Sequence, residues 1–316
     1  MFKEWKSRMK EFGFALSFFY MIQELAGKIH LWKIQRKIAK IKEKYVESYL
    51  KEKLSKIIEK YKLCDPDCAD AGDCKKYAWT FWWQGENNCP DSIKMCLSSL
   101  KCNLENVELH VIDKNNIRDW IDLPEFIYDK VKCGEITLTH LSDIVRMNLL
   151  NKYGGVWFDA TIIMIDEFNE KWFEYCYFTA KQPPKDCLCV SNFRWTGSYL
   201  GGKKSNIFFG YMSEAFEAYW KEHHYLIDYF LIDFLVDIAL REFEWFKNMY
   251  DVLPENNSRM YDLEDELNKR FNKSTLDDIC RNGNIYKLQR RTDYKGNING
   301  EMTLYGYLYS KYQHED

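Results

Sequence analysis

The segment KYGGVWFDATIIM, Lys152 to Met164, constrains the fold more than any other stretch. A Tyr-Gly-Gly turn opens into an apolar run with the length and composition of a buried strand. Asp159 stands in the middle of that run, with Thr161 two residues on. A carboxylate withdrawn from water is costly unless cations or hydrogen-bond donors meet it. The run therefore predicts a central strand and a partner for Asp159. Alternation along a strand places Trp157, Asp159 and Thr161 on one face, and Val156, Phe158, Ala160 and Ile162 on the other. Two oxygen-bearing side chains beside an indole, next to a glycine turn, can hold a divalent cation, and the cation a diphosphate. The alternative is a strand end at which Asp159 caps a neighbouring backbone N–H.

The preceding THLSDIVRMNLLNKYGG reads as a helix with its N-terminal signal at Thr139 or Ser142 and a glycine stop. Leu141, Ile144, Val145 and Leu149 form its apolar face, while Asp143 and Arg146, three apart, are neighbours on the helix surface. They are either a surface ion pair worth under about 1 kcal/mol or a carboxylate and guanidinium aimed into a cleft, suited to hydroxyl-rich or phosphate ligands. Upstream, KKYAWTFWWQG predicts an aromatic strand ending at Gly85. NNCPDSIKMCLSSLKCN predicts a helix capped by Asp91 or Ser92, VELHVID a second strand, and LPEFIYDKVKCG a helix ended by Gly134. Strand, helix, strand, helix is the rhythm of an α/β fold with a single, mainly parallel sheet flanked by helices. Ligands gather at the carboxyl ends of such strands, where Trp82, Trp83, Gln84 and Gly85 lie.

Charge is spread unevenly. Residues 1–62 hold 16 Lys and Arg against 7 Glu, although the whole chain carries a net charge of −3. They predict an N-terminal basic helical arm over residues 1–63, whose segment from Ile29 to Tyr61 repeats apolar residues every three or four positions between lysines. Such an arm can lie on an anionic membrane surface, or pack as a hairpin on the body with its lysines solvated. Residues 64–76 read as an acidic, Cys-containing linker, because the C-x3-C-x5-C spacing from Cys64 to Cys74 matches no standard zinc pattern. The odd count of 11 cysteines, with Cys96, Cys102 and Cys280 in helix-like text, points to a reducing cytoplasm. Phe12 to Ile22 is too short to span a bilayer and lacks a good cleavage site after it. A cytoplasmic protein, peripheral on the inner membrane face, is expected, and no nucleic acid among its partners.

In the back half, LCVSNFRWTGSYLGGKKSN contains a glycine-dotted loop with Asn192, Arg194, Trp195, Thr196 and Ser198, suited to a sugar contact or to a plain surface hairpin. The helical YLIDYFLIDFLVDIALREF is interrupted by Asp228, Asp233 and Asp237. Asp228 is a candidate acceptor-side carboxylate, and a helix edge touching water accounts for all three equally well. His223 and His224 lack a matching ligand set. IYKLQRR reads as a late strand whose basic end, Lys287, Arg290 and Arg291, can close over phosphates.

SDIVRMNLLNKYGGVWFDAT resembles the Ser-Asp-x-x-Arg … Gly-Gly-x-(Tyr/Trp)-x-Asp-x-Asp block of glycosyltransferases with a DXD sugar-binding region. With WTFWWQG upstream, it is most similar to the bacterial capsular polysaccharide synthesis family. The same core occurs in yeast-type mannosyltransferases and large clostridial glucosylating toxins. The resemblance covers residues 75–195 and, more loosely, IYKLQRR. It implies a GT-A catalytic domain over residues 77–316 and transfer of a sugar, with retention, from a nucleotide-sugar donor, UDP-linked, to a glycan or lipid-linked oligosaccharide acceptor. By motif, Trp82 or Trp83 would stack on the uracil, with Gln84 and Gly85 beside it. Asp143 and Arg146 would grip the donor sugar, Trp157 would line the pocket and Asp159 would face the ribose and metal-diphosphate. Asn192 and Lys287 are further donor-binding candidates. Asp159 and Thr161 would hold Mn or Mg, but Thr161 replaces the second Asp of the motif, and a neutral hydroxyl is a weaker ligand, so basic groups such as Lys287 are the alternative neutraliser. A protein-modifying transferase of the same core and a non-catalytic nucleotide-sugar-binding protein are the rival readings.

Overall fold

The computed structural model describes residues 2–64, 75–281 and 283–313. The basic arm forms helices α1 (Phe2–Lys28), α2 (Trp32–Lys53) and α3 (Ser55–Lys62). α1 and α2 pair as a hairpin, and Gly13, with φ of 83°, breaks α1 a little before its midpoint. Phe12, Leu16, Val46, Leu50, Leu54 and Ile58 are buried in the same apolar core as the sheet. The acidic segment lies outside the described residues from 65 to 74, Cys68 and Cys74 included.

The predicted strand–helix alternation then appears as β1 (Tyr77–Phe81), α4 (Asp91–Asn103), β2 (Glu108–Ile112), the short α5 (Ile117–Trp120), α6 (Glu125–Lys132), α7 (Leu138–Tyr153) and β3 (Gly155–Phe158). β1 lies between β2 and β3, parallel to both. The caps differ from expectation. Pro90, not Asp91 or Ser92, precedes α4. Thr137, not Thr139 or Ser142, caps α7, its hydroxyl accepting the His140 N–H. Leu141, Ile144, Val145 and Leu149 are buried, as predicted. Gly155 does more than end a helix. Its φ is 99°, and a Cβ there would stand 2.4 Å from the Tyr77 carbonyl oxygen, so only glycine allows β3 this close to β1.

After Phe158 the predicted single strand breaks. The Asp159 N–H donates to the Ser198 carbonyl at 2.9 Å, and the Ile162 N–H returns to the Asp159 carbonyl at 2.8 Å, closing a turn. Simple two-residue alternation therefore stops at Asp159. The chain continues as β4 (Ile162–Met164), which leaves the main sheet. β5 (Tyr177–Thr179) and β6 (Tyr199–Gly202) complete that sheet in the order β2-β1-β3-β6-β5. β6 runs antiparallel to both β3 and β5. Four of the five strands thus run the same way and β6 alone runs against them, so the central sheet is mainly parallel as expected, but it is not single, because β4 forms a separate pair. The glycine pair Gly201–Gly202 admits this close antiparallel pairing, since a Cβ on Gly201 would lie 2.3 Å from the Gly155 carbonyl oxygen.

Helices α8 (Ile207–Glu222), α9 (Leu231–Glu242), α10 (Glu244–Asp251) and α11 (Lys273–Cys280) follow, then β7 (Ile285–Lys287), the hairpin of β8 (Asn297–Ile298) and β9 (Glu301–Met302), and α12 (Leu304–Gln313). β7 pairs antiparallel with β4, setting Ile162 opposite Lys287. A second apolar cluster, including Ile163, Tyr286, Leu308 and Tyr312, holds this pair against α12. Cys187 and Cys189 are joined in a disulfide, which the sequence reading did not anticipate.

Candidate active site

Asp159 faces two cations. Its Oδ1 accepts from Arg146 Nη2 and from Trp157 Nε1, each at 2.8 Å, and its Oδ2 accepts from Lys287 Nζ at 2.7 Å. Arg146 Nη1 lies 3.0 Å from Asp143 Oδ1, and its guanidinium carbon sits 4.8 Å from the Trp157 ring centroid. Lys287 also donates to the Thr161 hydroxyl at 2.6 Å. A continuous chain of alternating charge results: Asp143, Arg146, Asp159, Lys287. Its inner member, Arg146, is 4% exposed, whereas Asp159 and Lys287 are each 25% exposed. The cluster therefore opens to solvent at the Asp159–Lys287 end.

Local structure explains this convergence. α7 carries Asp143 and Arg146 one turn apart, and its glycine stop feeds directly into β3, so Asp159 emerges at the end of β3 alongside Arg146. β7 delivers Lys287 from 128 residues further along the chain, through its register with β4. Burial pushes the Asp159 carboxyl up, but Lys287 and Arg146, with the hydrogen bonds from Lys287 and Trp157, outweigh it and hold the pKa at about 2. Asp159 is ionised at any pH at which the protein functions.

Trp82 packs in a patch with Ala160, the residue after Asp159, whereas Trp83 packs against the main core near Phe81. Gly85, with φ of 86°, closes that loop, and a Cβ on it would stand 3.0 Å from Asp113 Oδ2. Gln84 offers its carbonyl to Asn88. Asn192 lies in the loop of the Cys187–Cys189 disulfide, where its side chain donates to the Val190 carbonyl.

Residues just beyond Asn192 approach the cluster more closely. A Cβ on Gly197 would lie 2.6 Å from Arg146 Nη1, so this loop covers the guanidinium. Trp195 Nε1 donates to Asp233 Oδ1 at 2.8 Å. Asp233 is buried, and burial raises its pKa to about 7 even against the Trp195 hydrogen bond, with Asp143 adding to the rise. Sequence reasoning had treated Asp233 as a residue on a wet helix edge. The sequence identifies the loop that covers it, but carries no signal that Trp195 of that loop meets Asp233.

The other two aspartates of that segment are also buried and paired. Asp237 binds Arg194 and Arg241. Asp228 accepts from Lys42 at 2.7 Å and from the Tyr20 hydroxyl at 2.5 Å, so it is an anchor for the arm and not an acceptor-side carboxylate. His223 bonds the Tyr49 hydroxyl, and His224 lies against Glu135. Arg290 and Arg291 are exposed just beyond β7.

The donor set does not suit a divalent cation. The space between Asp159 and Thr161 is taken by the Lys287 ammonium, and the carboxylate already carries a guanidinium. Waters and a diphosphate can complete the shell of such an ion around one carboxylate, so the obstacle here is the ammonium itself, which a cation would have to displace from both Asp159 and Thr161. Among the described residues no group of three or more His, Cys, Asp or Glu converges elsewhere.

The family model for capsular polysaccharide synthesis proteins matches residues 27–308. The chain belongs to this family. The match begins at residue 27, so it takes in α2 and α3 but only the last two residues of α1. Two curated relatives are O-glycosyltransferases. One is braB of Annulohypoxylon truncatum, 24% identical over 164 residues, covering 46% of this chain and 38% of the relative. The other is PaGT of Phomopsis amygdali, 24% identical over 165 residues, covering 42% of this chain and 41% of the relative. The chain thus matches about two fifths of the length of each. Among solved structures, the PaToxG glycosyltransferase aligns with a TM-score of 0.40 at 12% identity, covering 81% of this chain and 100% of that one. The apo form of the glycosyltransferase GlyE from Streptococcus pneumoniae TIGR4 aligns with a TM-score of 0.39 at 13% identity, covering 77% and 61%.

Proposed function

We propose that this member of the capsular polysaccharide synthesis family is a GT-A-type glycosyltransferase that moves a sugar, with retention, from a UDP-sugar to a lipid-linked glycan acceptor in capsule or exopolysaccharide synthesis. The observation that carries the reading is the Asp143–Arg146–Asp159–Lys287 chain, open to solvent at one end and backed by Trp157. Carboxylates held by a buried guanidinium are rigid acceptors for sugar hydroxyls. Lys287, with Arg290 and Arg291 beyond it, supplies positive charge for a diphosphate. Trp82, in the same apolar patch as Ala160, offers the ring on which uracil stacks.

In the transfer step the bond between the anomeric carbon and the β-phosphate oxygen breaks, and UDP leaves with the electron pair. The acceptor hydroxyl oxygen bonds to that carbon from the same face, and its proton passes to the departing diphosphate oxygen. Lys287 lowers the barrier by meeting the charge that develops on that oxygen. Asp159, with both oxygens engaged and its pKa at about 2, is a poor covalent nucleophile, which favours this same-face route over a glycosyl-enzyme. Release of UDP from a panel of UDP-sugars tests the reading. Turnover with at least one donor, lost in Asp159→Asn, is expected. Absence of turnover with every donor and acceptor mixture, or a rate indifferent to Asp159→Asn, contradicts it.

A further inference from the structure

The amphipathic face of α2 is not available to any partner: Ala39, Lys42, Val46 and Leu50 are buried within the protein. The unpartnered apolar surface of the arm lies elsewhere. On α1, Phe14, Phe18, Met21 and Leu25 follow one another at spacings of four, three and four, and each is between 37% and 63% exposed. This is one continuous ridge along the helix. The buried face of α1, with Phe12 and Leu16, is separate from it. The ridge runs into the hairpin tip, where Ile29, Leu31, Trp32 and Ile34 are also exposed, Trp32 by 58%.

Charge identifies what this surface meets. Along α2, Lys33, Lys37, Lys40 and Lys44 are exposed at the same four, three, four spacing, with exposed Ile34 and Ile41 interleaved. Lys28 adds to them, and Arg36 is paired with the exposed Asp186 at 2.7 Å. Within residues 21–44 the exposed carboxylate is Glu24, which pairs with Lys28 at 2.7 Å. A second copy of the chain is a poor occupant, because a two-fold interface sets a patch against itself, and this patch is strongly cationic. An apolar ridge flanked by lysines, with a tryptophan at its end, matches a lipid surface with anionic headgroups. No helix among the described residues is long and apolar enough to cross a membrane, so the contact is one of lying on the surface.

We infer that α1 and the α1–α2 tip form a docking face for an anionic lipid membrane. The same hairpin grips Asp228 through Tyr20 and Lys42, and the next residue, Tyr229, is exposed within range of the Asp143 and Asp159 charges. The inference is independent of the reaction proposed above.

Sedimentation of the full chain with phosphatidylcholine vesicles, with and without about 30% phosphatidylglycerol, tests it. Binding to the anionic vesicles is expected, about tenfold or more tighter than to neutral ones and weakened by added salt. Phe14→Ser with Leu25→Ser, and separately Lys33→Glu with Lys37→Glu, should each weaken it about tenfold or more, with the circular dichroism spectrum of the folded protein retained because all four residues are more than half exposed or lie on the exposed face. The inference is overturned if the wild type ignores anionic vesicles, if both variants bind like wild type, or if the ridge variant instead dissolves a dimer of a chain that does not bind vesicles.

Discussion

At the residue scale, Asp159 and Asp233 are carboxylates driven in opposite directions. Asp159 is held at about 2, below the unfolded value of about 4. Its contribution to stability is therefore complete above that unfolded value and lost as pH falls through about 2. Asp159→Asn should flatten the acid limb of a melting-temperature profile below roughly pH 4. Asp233 is raised to about 7, so folding takes up a proton between roughly pH 4 and pH 7 and stability declines as pH climbs through that window. Asp233→Asn, which keeps the Trp195 hydrogen bond, should stabilise the protein at pH 8 by on the order of 2 kcal/mol and have little effect at pH 4, as urea unfolding would show. That Asp159 has charged partners was legible in the sequence, because a carboxylate inside an apolar run demands them. The role of Asp233 was not, because its environment comes from Trp195 on a loop 38 residues earlier.

At the element scale, the Gly-Gly turn announced a helix end and a strand start, and both stand where expected. What the pattern hid was the break at Asp159. An apolar run carries no mark of where one strand hands over to another, and here the handover depends on the Ser198 carbonyl capturing the Asp159 N–H. The antiparallel β6 was concealed for the same reason: its pairing is long-range, and the Gly201–Gly202 signal reads equally well as a loop. Gly155→Ala combines a strained φ with a clash against β1. It should cost about 3 kcal/mol or more, measured by chemical denaturation. Comparable stability in that variant would mean that the β1–β3 spacing is looser than described.

At the scale of the whole molecule, the arm and the sheet share a core, and a buried charge pair ties them. Lys42 and Asp228 are both almost wholly buried. Removing the ammonium in Lys42→Ala leaves Asp228 with only the neutral donors Tyr20 and the Phe230 N–H and should destabilise the protein by about 3 kcal/mol, seen as a lowered unfolding midpoint. The helical, basic character of the arm could be read from its periodicity. Which face it buries could not, because α1 is apolar on two sides and tertiary packing alone selects one. The assembly of the candidate site is likewise long-range, since α7 and the turn after β3 supply three of its charges and β7, 128 residues beyond Asp159, the fourth. That assembly predicts a diphosphate site whose cation is Lys287. Calorimetric titration of UDP in the presence of EDTA tests it directly. Binding by the wild type, weakened about tenfold or more in Lys287→Met, is the predicted result. No binding of UDP, or an affinity unchanged by Lys287→Met, would contradict it.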